Sequence, residues 1–92
     1  MKYRKERLYL RILLPPYKRE LLNLAFWNTQ EKEIIRLMYL ENRSIENIIA
    51  HGLMPYEKSW LCMLHRTALS KLKDWLKHTS KTEYRLIYKN LI

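Results

Sequence analysis

The chain has 92 residues, of which 18 are lysine or arginine and 9 are aspartate or glutamate. This length suits one compact domain and excludes an enzyme built from separate catalytic and cofactor domains. The formal net charge of +9 makes an anionic partner the leading expectation. Because 48% of the residues are hydrophobic, the chain is predicted to form a core of its own rather than a disordered basic tail.

The chain contains one glycine and one cysteine, and this scarcity limits the kinds of turn, disulfide and metal site that it can form. Gly52 is the only glycine, which argues against phosphate-cradling loops and tight hairpins and favours helices joined by short turns. Cys62 is the only cysteine, so no intramolecular disulfide can form, and no cysteine–histidine cluster has metal-ligand spacing. We therefore expect a reducing, cytoplasmic setting, with no metal and no other cofactor.

The hydropathy pattern predicts no membrane segment. No apolar run approaches the roughly 20 residues that span a bilayer. Charged residues also interrupt the apolar positions at the start of the chain, over residues 1–11. We therefore expect neither a signal peptide nor a transmembrane helix, and no membrane partner.

The first third of the chain predicts two short elements. Residues 3–14 are both basic and apolar, and their periodicity suits a strand or a helix, with the helix favoured. Pro15 and Pro16 must end this element. Over residues 17–27 the apolar positions repeat at three- and four-residue intervals, and Pro16 is well placed to open a second helix.

The next segment predicts a helix from about Gln30 to about Asn42. Asn28 and Thr29 are both good N-caps, and the acidic residues that follow suit a helix N-terminus. Asn42 tolerates the left-handed conformation that often ends a helix. The predicted buried face contains Ile34, Leu37, Met38 and the aliphatic stem of Glu41.

Two further helices are predicted between Ser44 and His78. Ser44 can cap a short helix that ends at Gly52, and Pro55 can open a long helix that runs to about His78. The predicted core stripe of the long helix contains Leu61, Leu64, Ala68, Leu72 and Trp75. Its opposite side carries Ser59, Cys62, Met63, Arg66, Ser70, Lys73 and Lys77.

The pattern of the last segment, residues 81–92, suits either a helix or a strand. Its apolar residues Tyr84, Ile87, Tyr88 and Leu91 share a helical face, while residues 84–88 also suit a strand. This face can pack on the domain or on a second copy of the chain, so a homodimer is one possible assembly.

Together these elements predict an all-α fold. We assign residues 1–92 to one helical domain, with a helical cap over 1–27, a helix-turn-helix core over 29–78 and an extension over 79–92. A capped helix, a brief helix that ends in glycine and a longer basic helix follow in the order of a helix-turn-helix DNA-binding unit. In such a unit the first turns of the last helix enter a major groove about 12 Å wide.

Two stretches of the sequence resemble a known family. Residues 29–50, TQEKEIIRLMYLENRSIENIIA, resemble the first half of region four of bacterial sigma factors, in which a Thr-capped acidic helix, Leu-x-Tyr, an acidic residue and a small turn precede Ser-x-Glu-Glu-Ile-Ala. Residues 64–73, LHRTALSKLK, are similar to the Leu-His-Arg-Ala-Leu-x-Lys-Leu ending of its recognition helix. The chain departs from the family between these stretches, where residues 52–55 replace the common Leu-Gly-apolar-Ser turn.

The resemblance implies a DNA-binding transcription regulator. A chain of this size holds only a region-four-like domain, and small phage and prophage late-gene activators combine that size with that resemblance. The positions aligned with promoter-reading residues of the family are Lys58, Ser59 and Cys62. Trp60 and Cys62 are poor base readers, so the family's promoter code is not carried over.

We expect the DNA contacts to lie mainly on the outer side of the long helix. Lys58 and Arg66 are the leading candidates, and Ser59 can donate to a phosphate or a base edge. Lys73 and Lys77 are expected on phosphates or in water. The full predicted set is Arg43, Lys58, Ser59, Cys62, Arg66, Lys73 and Lys77.

A second hypothesis is a protein-interaction module that binds RNA polymerase or a sigma factor without reading DNA. Trp60, Cys62 and Met63 on the outer face suit a protein contact better than a base contact. An enzyme is not expected, because Asp74 is the only aspartate and no nucleophile–base pair or metal set can be assembled from the sequence.

The remaining histidine and tryptophan candidates have structural interpretations. His65 falls close to the core stripe, so we expect a partly buried, hydrogen-bonded side chain rather than a catalyst or ligand. Trp27, Trp60 and Trp75 are expected in the core, with a sugar or backbone contact as the alternative for Trp60.

Overall fold

Six α-helices and one π-helical segment make up the computed structural model, which describes residues 2–91. Within those residues no strand forms, so the all-α expectation is confirmed and both end segments are helical. No helix there is long and apolar enough to cross a membrane. The helices are α1 (Arg4–Ile12), α2 (Pro15–Leu22), α3 (Thr29–Ile35), which continues into the π-helical segment Arg36–Leu40, α4 (Ile45–Ala50), α5 (Lys58–His78) and α6 (Thr82–Lys89).

Local capping sets the ends of the central helices, as the sequence predicts. The Asn28 side chain accepts a hydrogen bond from the Glu31 amide, and the Glu31 side chain accepts one from the Asn28 amide, each at 2.8 Å. This reciprocal capping box satisfies two backbone donors at the start of α3. Ser44 Oγ accepts from the Asn47 amide at 3.0 Å and caps α4. Asn42 and Gly52 have positive φ angles of 57° and 59° just beyond their helices.

The buried face of α3 and the π-helical segment that follows it differs from the predicted one. The Glu41 amide donates to the Arg36 carbonyl, five residues back, at 3.1 Å. The wider turn rotates Tyr39 into the core, whereas Met38 is only half-buried and Glu41 is exposed. Met38 packs against the core, as predicted, whereas the expectation that the stem of Glu41 joins the buried face is wrong. Lys18 Nζ donates to the carbonyl of Tyr39 at 2.9 Å and so satisfies a carbonyl in this irregular stretch.

The sequence predicts that the long helix begins at Pro55. In the structure it begins at Lys58. Met54 is buried in the core, and Gln30 Nε2 donates to the Tyr56 hydroxyl at 3.1 Å. These contacts hold the chain in an extended turn, so Pro55 lies outside the helix that it was predicted to open. The connection from α4 to α5 spans residues 51–57, which is longer than the three or four residues of a common helix-turn-helix turn.

The predicted stripe of α5 forms the centre of the core. Leu61, Leu64, Ala68 and Leu72 are all buried, and Trp75 is half-buried. Trp27 is buried against this stripe, and its Nε1 donates to the Ala68 carbonyl at 2.8 Å.

Trp60 does not join the core. Its side chain is 44% exposed in the first turn of α5, with the Tyr56 ring 5.8 Å away and much of the indole facing outward. The expectation of a core tryptophan is therefore wrong at this position.

Helix α6 holds α1 beside α5. The Tyr9 hydroxyl donates to the Tyr84 carbonyl at 3.2 Å, and the Tyr88 hydroxyl donates to the buried carboxylate of Glu6. Because α1 contacts both α5 and α6, the basic residues of α1 lie next to the helix that carries most of the predicted DNA contacts.

Candidate nucleic-acid interface

A cleft of about 1000 Å³ lies between α1, the loop before α4 and the first half of α5. It is open to solvent and strongly cationic. Glu46 is the one carboxylate that lines it among the described residues. The cationic side chains that line it are Lys2, Arg7, Arg11, Arg43, Lys58 and Arg66.

Four of the seven predicted DNA contacts line this cleft. Lys58, Cys62 and Arg66 are spaced four residues apart, which places them along one face of α5. Arg43 joins them from the loop before α4. Cys62 is half-buried there rather than fully on the outer surface.

The other three predicted residues lie outside the cleft. Ser59 is exposed, and its hydroxyl donates to Glu57 Oε1 at 3.2 Å. Lys77 is exposed near the end of α5. Lys73 is half-buried, with Nζ 5.9 Å from the centre of the Tyr3 ring, so it lies against the segment that leads into α1.

Two of the cleft cations are paired within the chain. Lys58 Nζ lies 3.3 Å from a Glu46 carboxylate oxygen, and Arg43 Nε donates to Glu41 Oε1 at 3.0 Å. Arg43 Nη1 also donates to Asn47 Oδ1 at 2.8 Å. The hydrogen bond from Arg43 holds the pKa of Glu41 below its usual value. Pairs as exposed as these stabilise a fold only weakly and are readily exchanged for another anion.

Arg11 and Arg66 keep their charge uncompensated. Both side chains are exposed, and within residues 2–91 neither has a carboxylate at ion-pair distance. They line the same cleft from α1 and from α5. The cleft therefore presents positive charge that an external anion can neutralise.

The inner part of the cleft is closed by a buried polar pair. The Tyr39 hydroxyl and His65 Nε2 are 2.7 Å apart and share a hydrogen bond. Burial, together with the positive charges of Arg7 and Arg11, lowers the pKa of His65 to about 4. His65 is therefore neutral near pH 7, and the expectation of a buried, satisfied histidine is confirmed.

Sequence reasoning missed the α1 wall of the cleft. Arg7 and Arg11 are four residues apart and share a helical face, which is a signal that the sequence contains. That spacing cannot show which neighbour α1 packs against, so neither arginine was included in the predicted set.

The cleft offers positive charge and hydrogen-bond donors. No group of three or more histidine, cysteine, aspartate or glutamate side chains within residues 2–91 is arranged to hold a metal ion. Arginine guanidinium groups match the geometry of phosphate oxygens and bind them through charge-assisted hydrogen bonds. A phosphate-bearing ligand therefore fits this lining best.

Four large apolar side chains, which together we call the exposed apolar surface, lie at the start of α5, at the end of α4 and in the turn between them. Trp60 and Met63 on α5 are 44% and 42% exposed, and Ile49 at the end of α4 is 41% exposed. Leu53, in the turn between these helices, is also exposed. Large apolar side chains at the surface are typical of macromolecular contacts.

The chain matches no protein-family model, no curated protein and no solved structure. The function proposed below therefore depends on the residues of this chain and on their arrangement.

Proposed function

We propose that this protein is a sequence-specific DNA-binding transcription regulator in which α3, α4 and α5 act as a helix-turn-helix unit. The observation that carries the proposal is the cationic cleft, which Arg43, Lys58 and Arg66 line together. Phosphate contacts from this cleft supply affinity, and the exposed first turns of α5 supply selectivity in the major groove.

Two features of the chain support this proposal. Residues 29–50 and 64–73 resemble region four of bacterial sigma factors, and small phage and prophage late-gene activators, which share that size and resemblance, are the preferred functional analogy. The net charge of +9 favours a polyanionic partner.

Selection of duplexes from a random DNA pool by the purified protein tests the proposal. We expect enrichment of one motif that binds about a thousandfold more tightly than a scrambled duplex at physiological salt. Salt-sensitive binding to every duplex without an enriched motif would contradict sequence specificity, and no binding at low salt would contradict the function itself.

The exposed apolar surface at Trp60 and Met63 favours a second candidate, a module that binds RNA polymerase or a sigma factor. In this case Trp60→Ala should abolish co-purification with polymerase, and the protein should show only nonspecific DNA affinity. The exposed Leu86→Ala change in α6 provides a control of the same kind, since Leu86 is 53% exposed and lies outside this surface.

A further inference from the structure

The cleft has two walls, and only one of them belongs to the helix-turn-helix unit. Arg66 lines it from α5, whereas Arg11 lines it from α1, a helix that precedes the unit in the chain. The ring and hydroxyl contacts of Tyr9 with α6 hold α1 in this position. The placement of Arg11 is therefore built into the fold.

The size of the major groove limits what can enter it together with α5. A helix with its side chains is about 10–12 Å across, and the groove is about 12 Å wide. A groove that receives the start of α5 has no room for α1. Because α1 borders α5 on the side that carries Lys58, Cys62 and Arg66, a docked duplex brings α1 against the phosphates at the edge of the groove.

From this geometry we infer that Arg11 and Arg66 together bind a phosphate of the DNA backbone in the cleft, so that α1 is a second DNA-contacting element. This inference rests on the proposed function, since it names the backbone of the same duplex as the ligand. Neither arginine has a carboxylate at ion-pair distance among the described residues, so neither gives up an ion pair when it binds an external phosphate.

In this arrangement two faces of α5 have different roles. The cleft face positions the duplex through its backbone, while the exposed Ser59 lies outside the cleft lining and can donate to a base edge. Variants of the cleft arginines should therefore weaken binding to all sequences alike and leave the preferred motif unchanged.

The test compares Arg11→Gln, Arg66→Gln and the double variant with Arg85→Gln, a control in which an exposed arginine of α6 outside the cleft is changed in the same way. Affinity for the selected and the scrambled duplex is measured across a salt series. We expect each cleft variant to bind both duplexes about tenfold more weakly, with a salt slope shallower by about 0.9. Because both arginines hold one phosphate, the double variant should lose much less than the sum of the single losses.

Unchanged affinity and slope in Arg11→Gln, with wild-type protein binding the duplex normally, would overturn the inference and leave the proposed function standing. Full additivity in the double variant would overturn the shared phosphate. Thermal melting of each variant shows that the fold is kept, which is expected because both side chains are exposed.

A second arm separates backbone phosphate from a free anion. Wild-type protein and Arg11→Gln are titrated with inorganic phosphate and pyrophosphate in the absence of DNA. Millimolar or tighter pyrophosphate binding that Arg11→Gln loses, combined with an unchanged DNA salt slope, would assign the cleft to a free phosphate ligand and overturn the backbone assignment. If wild-type protein binds no DNA, the proposed function fails, and the inference fails with it.

Discussion

The burial of His65 beside Tyr39 makes the free energy of unfolding depend on pH. The pKa of His65 is about 4 in the folded protein and about 6.5 in the unfolded chain. Below pH 6.5 the unfolded state therefore binds a proton that the folded state does not bind until about pH 4. Protonation of the unfolded state therefore lowers the free energy of unfolding as the pH falls from about 6.5 towards 4, and this loss is absent above pH 6.5.

We expect the free energy of unfolding to fall by about 2–3 kcal/mol through this one group between pH 7 and pH 4.5. Urea unfolding at both pH values measures it. His65→Gln keeps a hydrogen-bonding partner for Tyr39 but does not titrate, so it should show a smaller loss. An identical loss in His65→Gln and wild-type protein would contradict the assigned role.

At the scale of single elements, the start of α3 depends on one buried carboxylate. Glu31 is almost fully buried, accepts from the Asn28 amide and lies 2.8 Å from Lys71 Nζ on α5. We expect Glu31→Ala to lower the free energy of unfolding by about 1–3 kcal/mol, because it removes a cap and a cross-helix contact. Glu31→Gln keeps an accepting oxygen and should lose less in the same chemical denaturation experiment.

The turn between α4 and α5 is expected to depend on one buried side chain for its stability. Met54 is buried and holds this long connection to the core, whereas the neighbouring Leu53 is 37% exposed. Met54→Ala should therefore destabilise the protein by about 2 kcal/mol or more, and Leu53→Ala by much less. Equal midpoints for the two variants in thermal unfolding would show that Met54 does not hold the turn.

At the scale of the whole molecule, DNA binding can arise from the local charge of the cleft or from the net positive charge of the whole surface. Arg66→Glu and Lys89→Glu change the net charge equally, but only Arg66 lines the cleft. We expect Arg66→Glu to weaken duplex binding at least tenfold, while Lys89→Glu, at the end of α6, has a small effect. Equal weakening in a titration at fixed salt would show that net charge alone drives binding.

The sequence by itself determined the features that arise from neighbouring residues. The caps at Asn28 and Ser44, the helix ends at Asn42 and Gly52 and the apolar stripe of α5 all follow from interactions within a few residues. Periodicity placed Cys62 and Arg66 on the side of α5 opposite the core stripe, and the family resemblance indicated Lys58, so part of the candidate site was predictable.

Only the tertiary structure decided the features that depend on distant partners. Burial of Tyr39 through the π-helical segment, and of Met54 before α5, depends on packing against the assembled core. The second wall of the cleft depends on long-range packing, since Tyr9 of α1 donates to Tyr84 of α6, 75 residues further along the chain, and α1 also contacts α5. Local propensity carries no information about such contacts, because their free energy appears only when the elements pack together.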